Sequence, residues 1–261
     1  MRDTAVPTLG ILGGMAPLAT AAFLQQVMLE CQRQYGASRA EDFPPLLLHM
    51  QPLPFHDDRA NDPLQLESAL REGLLALERA GADLLAVDCG TAQIFHPLLA
   101  EGLRAPLLDQ VEATVQAIPA SARVIGLVAS RECAAAGIYR RACERRGLVL
   151  APVDWQHETD QLRRNARRRG DACDRAVLWD QLARRAHAAG VDTLLIACPD
   201  LCALDRELHT PLQRVDASAS LARRVVAAWL QRRNASLAAA GSVVAQQRIT
   251  ATRQSLAALL S

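Results

Sequence analysis

Short apolar runs alternate along this chain with longer amphipathic stretches, and that rhythm points to repeated strand-helix units on mostly parallel sheets with helices on both faces. The runs Thr8 to Leu12, Leu46 to Met50, Leu84 to Val87, Arg123 to Val128, Leu148 to Ala151 and Thr193 to Ala197 read as strands. Between them, Ala16 to Tyr35, Pro63 to Ala80, Ala134 to Arg146 and Ala176 to Ala189 carry helical periodicity. The pattern occurs twice: residues 1–119 and 120–214 each open on a Gly-containing strand and reach a strand that stops at a cysteine. The expected fold class is therefore α/β in two similar lobes, with a site in the crevice between them. Residues 215–232 are expected to return to the first lobe, and 233–261, rich in Ala, Ser and Gln, to form a C-terminal extension.

With 261 residues, half of them hydrophobic, the chain is long enough to bury a large core. No apolar run approaches the roughly 20 residues of a membrane span, and Arg2 and Asp3 are not followed by a signal-peptide apolar region. A cytoplasmic protein without a membrane partner is expected. Net charge is +1 and no basic stripe is interleaved with aromatics, so nucleic acid is not an expected partner. The one dense basic run, Arg163, Arg164, Arg167, Arg168 and Arg169, reads as a solvated helix face.

Seven cysteines without CxxC pairs argue against a disulfide framework or a zinc site. A free Cys is most often a small buried hydrophobe, so any chemical role needs support from position. All 29 basic side chains are arginines. Without lysine, no Schiff base with a substrate or with pyridoxal phosphate can form, and neither a cofactor nor a metal is expected.

Three constellations stand at strand ends, where ligands bind in open α/β sheets. In Gly10-Ile11-Leu12-Gly13-Gly14-Met15-Ala16-Pro17 a strand passes through glycines into a helix, which suits either a plain tight turn or an anion site; the spacing is not the dinucleotide fingerprint. Leu85-Ala86-Val87-Asp88-Cys89-Gly90-Thr91-Ala92 runs a strand straight into a thiol. Leu194-Leu195-Ile196-Ala197-Cys198-Pro199-Asp200 repeats that arrangement in the second half. Two cysteines at equivalent strand ends of two lobes is a pairing that chance seldom supplies. Cys31, Cys133, Cys143, Cys173 and Cys202 lack such symmetry and read as packing residues. His49, at the end of the second strand, and Gln51, just beyond it, are placed to face the same crevice.

At these residues the chain resembles the aspartate/glutamate racemase family, in particular its aspartate racemase branch, from Thr8 to about Leu230. Gly13-Gly14-Met15-Ala16-Pro17-Leu18-Ala19-Thr20 is similar to that branch's G-G-M-G-P-x-A-T. Val124 to Ser130, followed by Gly137-Ile138-Tyr139, resembles its second-lobe opening, in which small hydroxyl residues bind the substrate carboxylate. Cys89-Gly90-Thr91-Ala92-Gln93 stands where the family has C-N-T-A-H, and Cys198-Pro199-Asp200 where it has C-T-E. The chain departs at Gly90, Gln93, Pro199, Asp200 and Arg131-Glu132-Cys133, and Arg168 stands where the branch often has a lysine near the substrate.

The resemblance implies a cofactor-independent racemase of an acidic amino acid, aspartate or glutamate, acting as a homodimer. Cys89 and Cys198 would be the catalytic pair. Met15, Gln51, Gly90, Thr91, Ala92, Ser130, Cys133, Arg168, Pro199 and Asp200 would line the substrate, and Asp88 or Asp200 would orient a thiol or the substrate ammonium. Racemisation removes an α-proton on one face and returns one on the other, which two flanking thiols can do. A Cys-dependent decarboxylase or isomerase of a dicarboxylic acid on the same scaffold, or a non-catalytic ligand-binding descendant, are the alternatives.

Overall fold

The computed structural model describes residues 6–53, 61–168, 170–204 and 210–259, with residues 240–259 described by their backbone alone. The first half runs β1 (Leu9–Gly13), α1 (Pro17–Tyr35), β2 (Leu46–Met50), α2 (Pro63–Ala80), β3 (Leu84–Val87), α3 (His96–Glu101) and α4 (Gln110–Gln116). The second runs β4 (Val124–Val128), α5 (Arg131–Ala136), α6 (Ile138–Glu144), β5 (Val149–Leu150), α7 (Gln156–Arg168), α8 (Ala172–Ala188), β6 (Thr193–Ile196), α9 (Pro199–Cys202), β7 (Gln213–Asp216) and α10 (Ala217–Leu259). Two wholly parallel sheets result, ordered β2-β1-β3 and β5-β4-β6-β7, flanked by helices. The expected α/β class is what the chain adopts.

Side-chain alternation along each strand divides the cores. In the first sheet, Leu9, Ile11, Leu84 and Ala86 face α1 and α10, burying against Phe23, Val27, Val225 and Trp229. Leu12, Leu85 and Val87 face the opposite way onto Leu66, Leu70 and Leu74 of α2, and Cys89 continues that face. In the second sheet, Ile125, Leu127 and Leu195 pack with Val111, Val115 and Tyr139. Val128, Leu194 and Ile196 pack with Trp155, Leu162 and Trp179, and Cys198 continues that face towards α7. Each such fully buried Leu or Ile contributes about 1.5–3 kcal/mol.

Helix α2 keeps its expected bounds because its ends are written in the chain. Asp62 accepts from the backbone N–H groups of Leu64 and Gln65, Pro63 begins the first turn, and Gly81 closes the helix at φ +96°. The helix expected from Ala134 to Arg146 is instead two. It starts earlier, at a cap where Ser130 Oγ accepts from Cys133 N–H, and breaks at Gly137, which is left-handed at φ +65°. Strand β7 was not expected. It is an edge strand that buries only Val215, so its polar sequence shows no apolar run, and the segment expected to return from Val215 enters its helix at Ala217. Packing also crosses the expected lobe boundary: Val111, Val115 and Ile118, drawn from residues 1–119, lie in a core of the second sheet.

Candidate active site

Strands β3 and β6 both end against the space between the sheets, and the next residue but one in each case is a buried cysteine, Cys89 and Cys198. The two strand ends meet closely. A Cβ on Gly90 would lie 2.3 Å from the carbonyl oxygen of Ala197, so only glycine permits this approach. Met15, Ala16, Asp88, Cys89, Gly90, Thr91, Ser130, Arg163, Arg167, Ala197, Cys198, Pro199 and Asp200 enclose a small cavity of about 20 Å³. Met15, Ala16, Arg167 and Asp200 are shared with a wider basin of about 500 Å³ between the start of α1 and helices α7 and α9.

The thiols lie in unequal surroundings. Burial pushes the Cys89 thiol up to about 12, against which the backbone N–H groups of Ala92 and Thr91 stabilise the thiolate, while Cys198 and Asp88 raise it further. Burial also raises Cys198, but there the opposing influences are cationic. Arg163 donates a hydrogen bond to its sulfur, and the charges of Arg163 and Arg167 favour the thiolate against the nearby Asp200. The thiolate is therefore better supported at Cys198, and the proton better kept at Cys89.

Around the thiols stand groups suited to a zwitterion. Thr91 and Ser130 hydroxyls bond each other at 2.8 Å, and Ser130 Oγ also accepts from Cys133 N–H at 3.2 Å. Of the two hydroxyl protons one serves the mutual bond, which leaves the other for an anion. Arg167 Nε donates to Asp200 Oδ2 at 2.7 Å across the neck between cavity and basin. Asp88 is held from two helices: Ser218 Oγ donates to both its oxygens at 2.9 Å and Gln110 Nε2 to Oδ1 at 2.6 Å. Asp88 keeps part of its surface open at the cavity, yet burial, with Asp216 and Asp200, pushes its carboxyl up to about 7 despite those donors.

Of the residues expected from sequence, Met15, Cys89, Gly90, Thr91, Ser130, Cys198, Pro199 and Asp200 do line the cavity. Ala92 contributes its backbone N–H to Cys89. Cys133 lies behind Gly90, its sulfur 3.4 Å from where a Cβ would stand. Gln51 does not reach the cavity: its side-chain oxygen turns under α2 into space left by Gly73. His49 is half-buried in β2 opposite Leu12. Gln93 is structural, donating to Val87 O and accepting from Gln110 N.

The arginine run needs a correction. Arg164 and Arg168 are solvated, but Arg163 is 7% exposed and lines the cavity with Arg167 one helical turn on, while Arg169 lies outside the described residues. The cation expected at Arg168 is thus supplied by its neighbours. Sequence reasoning also missed Gln110 and Ser218, which carry no motif. Among the described residues no cluster of three or more His, Cys, Asp or Glu is placed to hold a metal, and no helix is long and apolar enough to cross a membrane.

Comparison with known proteins shows the family and the fold. A family model described as Asp/Glu/Hydantoin racemase matches residues 12–225. A broad-specificity amino-acid racemase of Bacillus subtilis (strain 168) is 30% identical over 223 residues, spanning 85% of this chain and 98% of that protein. In fold, the chain is similar to an aspartate racemase of Picrophilus torridus, with a TM-score of 0.70 at 18% identity over 85% of this chain and 94% of the other. It is also similar to a glutamate racemase of Francisella tularensis solved with D-glutamate, with a TM-score of 0.64 at 9% identity over 88% and 83%.

Proposed function

The chain belongs to the Asp/Glu/Hydantoin racemase family, and from that premise we propose that it inverts the α-carbon of an acidic amino acid, with Cys89 and Cys198 as the two acid/base groups. The observation that carries this reading is that both cysteines, delivered by equivalent strands of two sheets, line one cavity together with Thr91, Ser130, Arg163 and Arg167. A thiolate takes the α-proton from one face and the opposite thiol returns a proton from the other, so the total proton count is unchanged and the thiols exchange roles. Arg163, Arg167 and the Thr91–Ser130 hydroxyl pair hold the substrate carboxylates. Negative charge that develops as the α-proton leaves is stabilised by these fixed donors. With no lysine in the chain, the carbanion is not delocalised through a protein-bound Schiff base.

Replacing each cysteine separately tests the scheme. Cys89→Ser and Cys198→Ser are each expected to abolish net inversion of aspartate and glutamate, by at least about 10²-fold. Each variant retains exchange of the α-proton with deuterium for one enantiomer only, and the two label opposite enantiomers. A single variant that racemises near the parent rate would show that the thiols are not the facing pair.

A further inference from the structure

We infer that Asp88 is the anion that receives the α-ammonium group of the substrate, so that the pocket selects amino acids over their deamino analogues and over uncharged hydantoins; this rests on the two-cysteine site proposed above.

Two acidic residues, Asp88 and Asp200, are among those that line the cavity, and they are not equivalent. Asp200 already has a cation, Arg167, at 2.7 Å. Asp88 is held only by neutral donors, Ser218 and Gln110, and among the described residues it makes no ion pair. Its charged neighbours worsen its position, because Asp216 and Asp200 both repel it. An enclosed carboxylate without a cation is expensive, and a ligand cation would relieve that cost. Serine and glutamine fix the direction of the carboxylate without neutralising it, which suits a group kept for a visitor.

Placement completes the picture. Asp88 comes from the end of the first sheet, whereas Arg163 and Arg167 come from α7 on the second. Anion and cations thus enter the cavity from separate lobes, matching the two ends of a zwitterion whose α-carbon lies between the thiols. A hydantoin or a simple dicarboxylic acid would leave the Asp88 charge without a partner.

The groups around Asp88 define its titration. They are Cys89 beside it, Asp200 and Cys202 of α9, Asp216 of β7, Ser218 of α10, Gln110 of α4 and Tyr139 of α6, with Cys198, Arg163 and Arg167 across the cavity. Burial holds both thiols above their ordinary range, so they stay protonated near neutrality in the absence of ligand and Asp88 is the group whose charge changes there. Its carboxyl titrates at about 7. Ammonium binding requires the ionised form, so affinity for an amino acid falls by up to about tenfold per pH unit below that point. Affinity for a deamino acid does not fall.

Calorimetry on the full chain tests this with L-aspartate against succinate and L-glutamate against glutarate. Expected are a preference for each amino acid, its loss on acidification, and a loss of about tenfold or more for the amino acids alone in Asp88→Asn. Equal losses for amino and deamino acids, no loss for either, or a parent protein that shows no preference would each overturn the inference. Should Asp88→Asn fail to fold, the pH dependence of the parent decides. Interconversion of enantiomers is followed separately: discrimination without turnover would refute the racemase reading and leave Asp88 in place, whereas turnover without discrimination would do the reverse.

Discussion

Removing the guanidinium beside Cys198, as in Arg163→Met, is the most informative single perturbation of the site. Arg163 is 7% exposed and donates to the sulfur, so its charge acts through little water. An opposite charge at this range lowers an acidic pKa by about 1–3 units, each unit worth about 1.4 kcal/mol. Because Arg163 lowers the Cys198 pKa, its loss raises it further, and the thiolate fraction at any pH below that pKa falls about 10- to 1000-fold. Methionine fills much of the same volume, and Asp160 keeps Arg131 at 2.5 Å and Gln156 at 2.9 Å when Arg163 is gone. The fold should therefore survive. The assay is the rate of iodoacetamide alkylation, resolved by peptide mapping: Cys198 should slow by at least about tenfold and its pH profile should move upward, with Cys89 little changed. Arg163→Lys should recover most of the rate. Unchanged alkylation of Cys198 in a folded Arg163→Met protein would refute the asymmetry derived for the two thiols.

Gly90→Ala should separate the two strand ends, since its Cβ would lie 2.3 Å from Ala197 O. A thermal melt should record a loss of about 1–3 kcal/mol, with turnover falling more than stability; a neutral effect would show that the strand ends do not set the cysteine spacing. Dialysis against a chelator, and addition of pyridoxal phosphate, should each leave turnover unchanged. Loss on chelation with recovery on adding a divalent metal would contradict the proposed proton transfer between thiols alone.

The sequence by itself determined the layered fold and the two thiols. Apolar runs such as Leu84–Val87 and Thr193–Ile196 are fully buried and announce themselves, and a strand that ends at Cys89 or Cys198 delivers its side chain to the crevice by backbone geometry alone. Capping residues Asp62 and Gly81 fixed α2 in the same local way. Tertiary structure alone decided which charged groups meet those thiols. Helix α7 is polar around most of its circumference, with Leu162 among its few apolar anchors, so no apolar stripe tells Arg163 and Arg167 from Arg164 and Arg168. Asp88 acquires Gln110 and Ser218 from 22 and 130 residues away in the chain. Such partners leave no local signature, because a hydrogen bond between distant residues depends on the packing of α4 and α10 and not on the propensity or periodicity of either segment. Gln51 fails to reach the cavity for the same reason: the space that draws its side chain away belongs to Gly73 on another element.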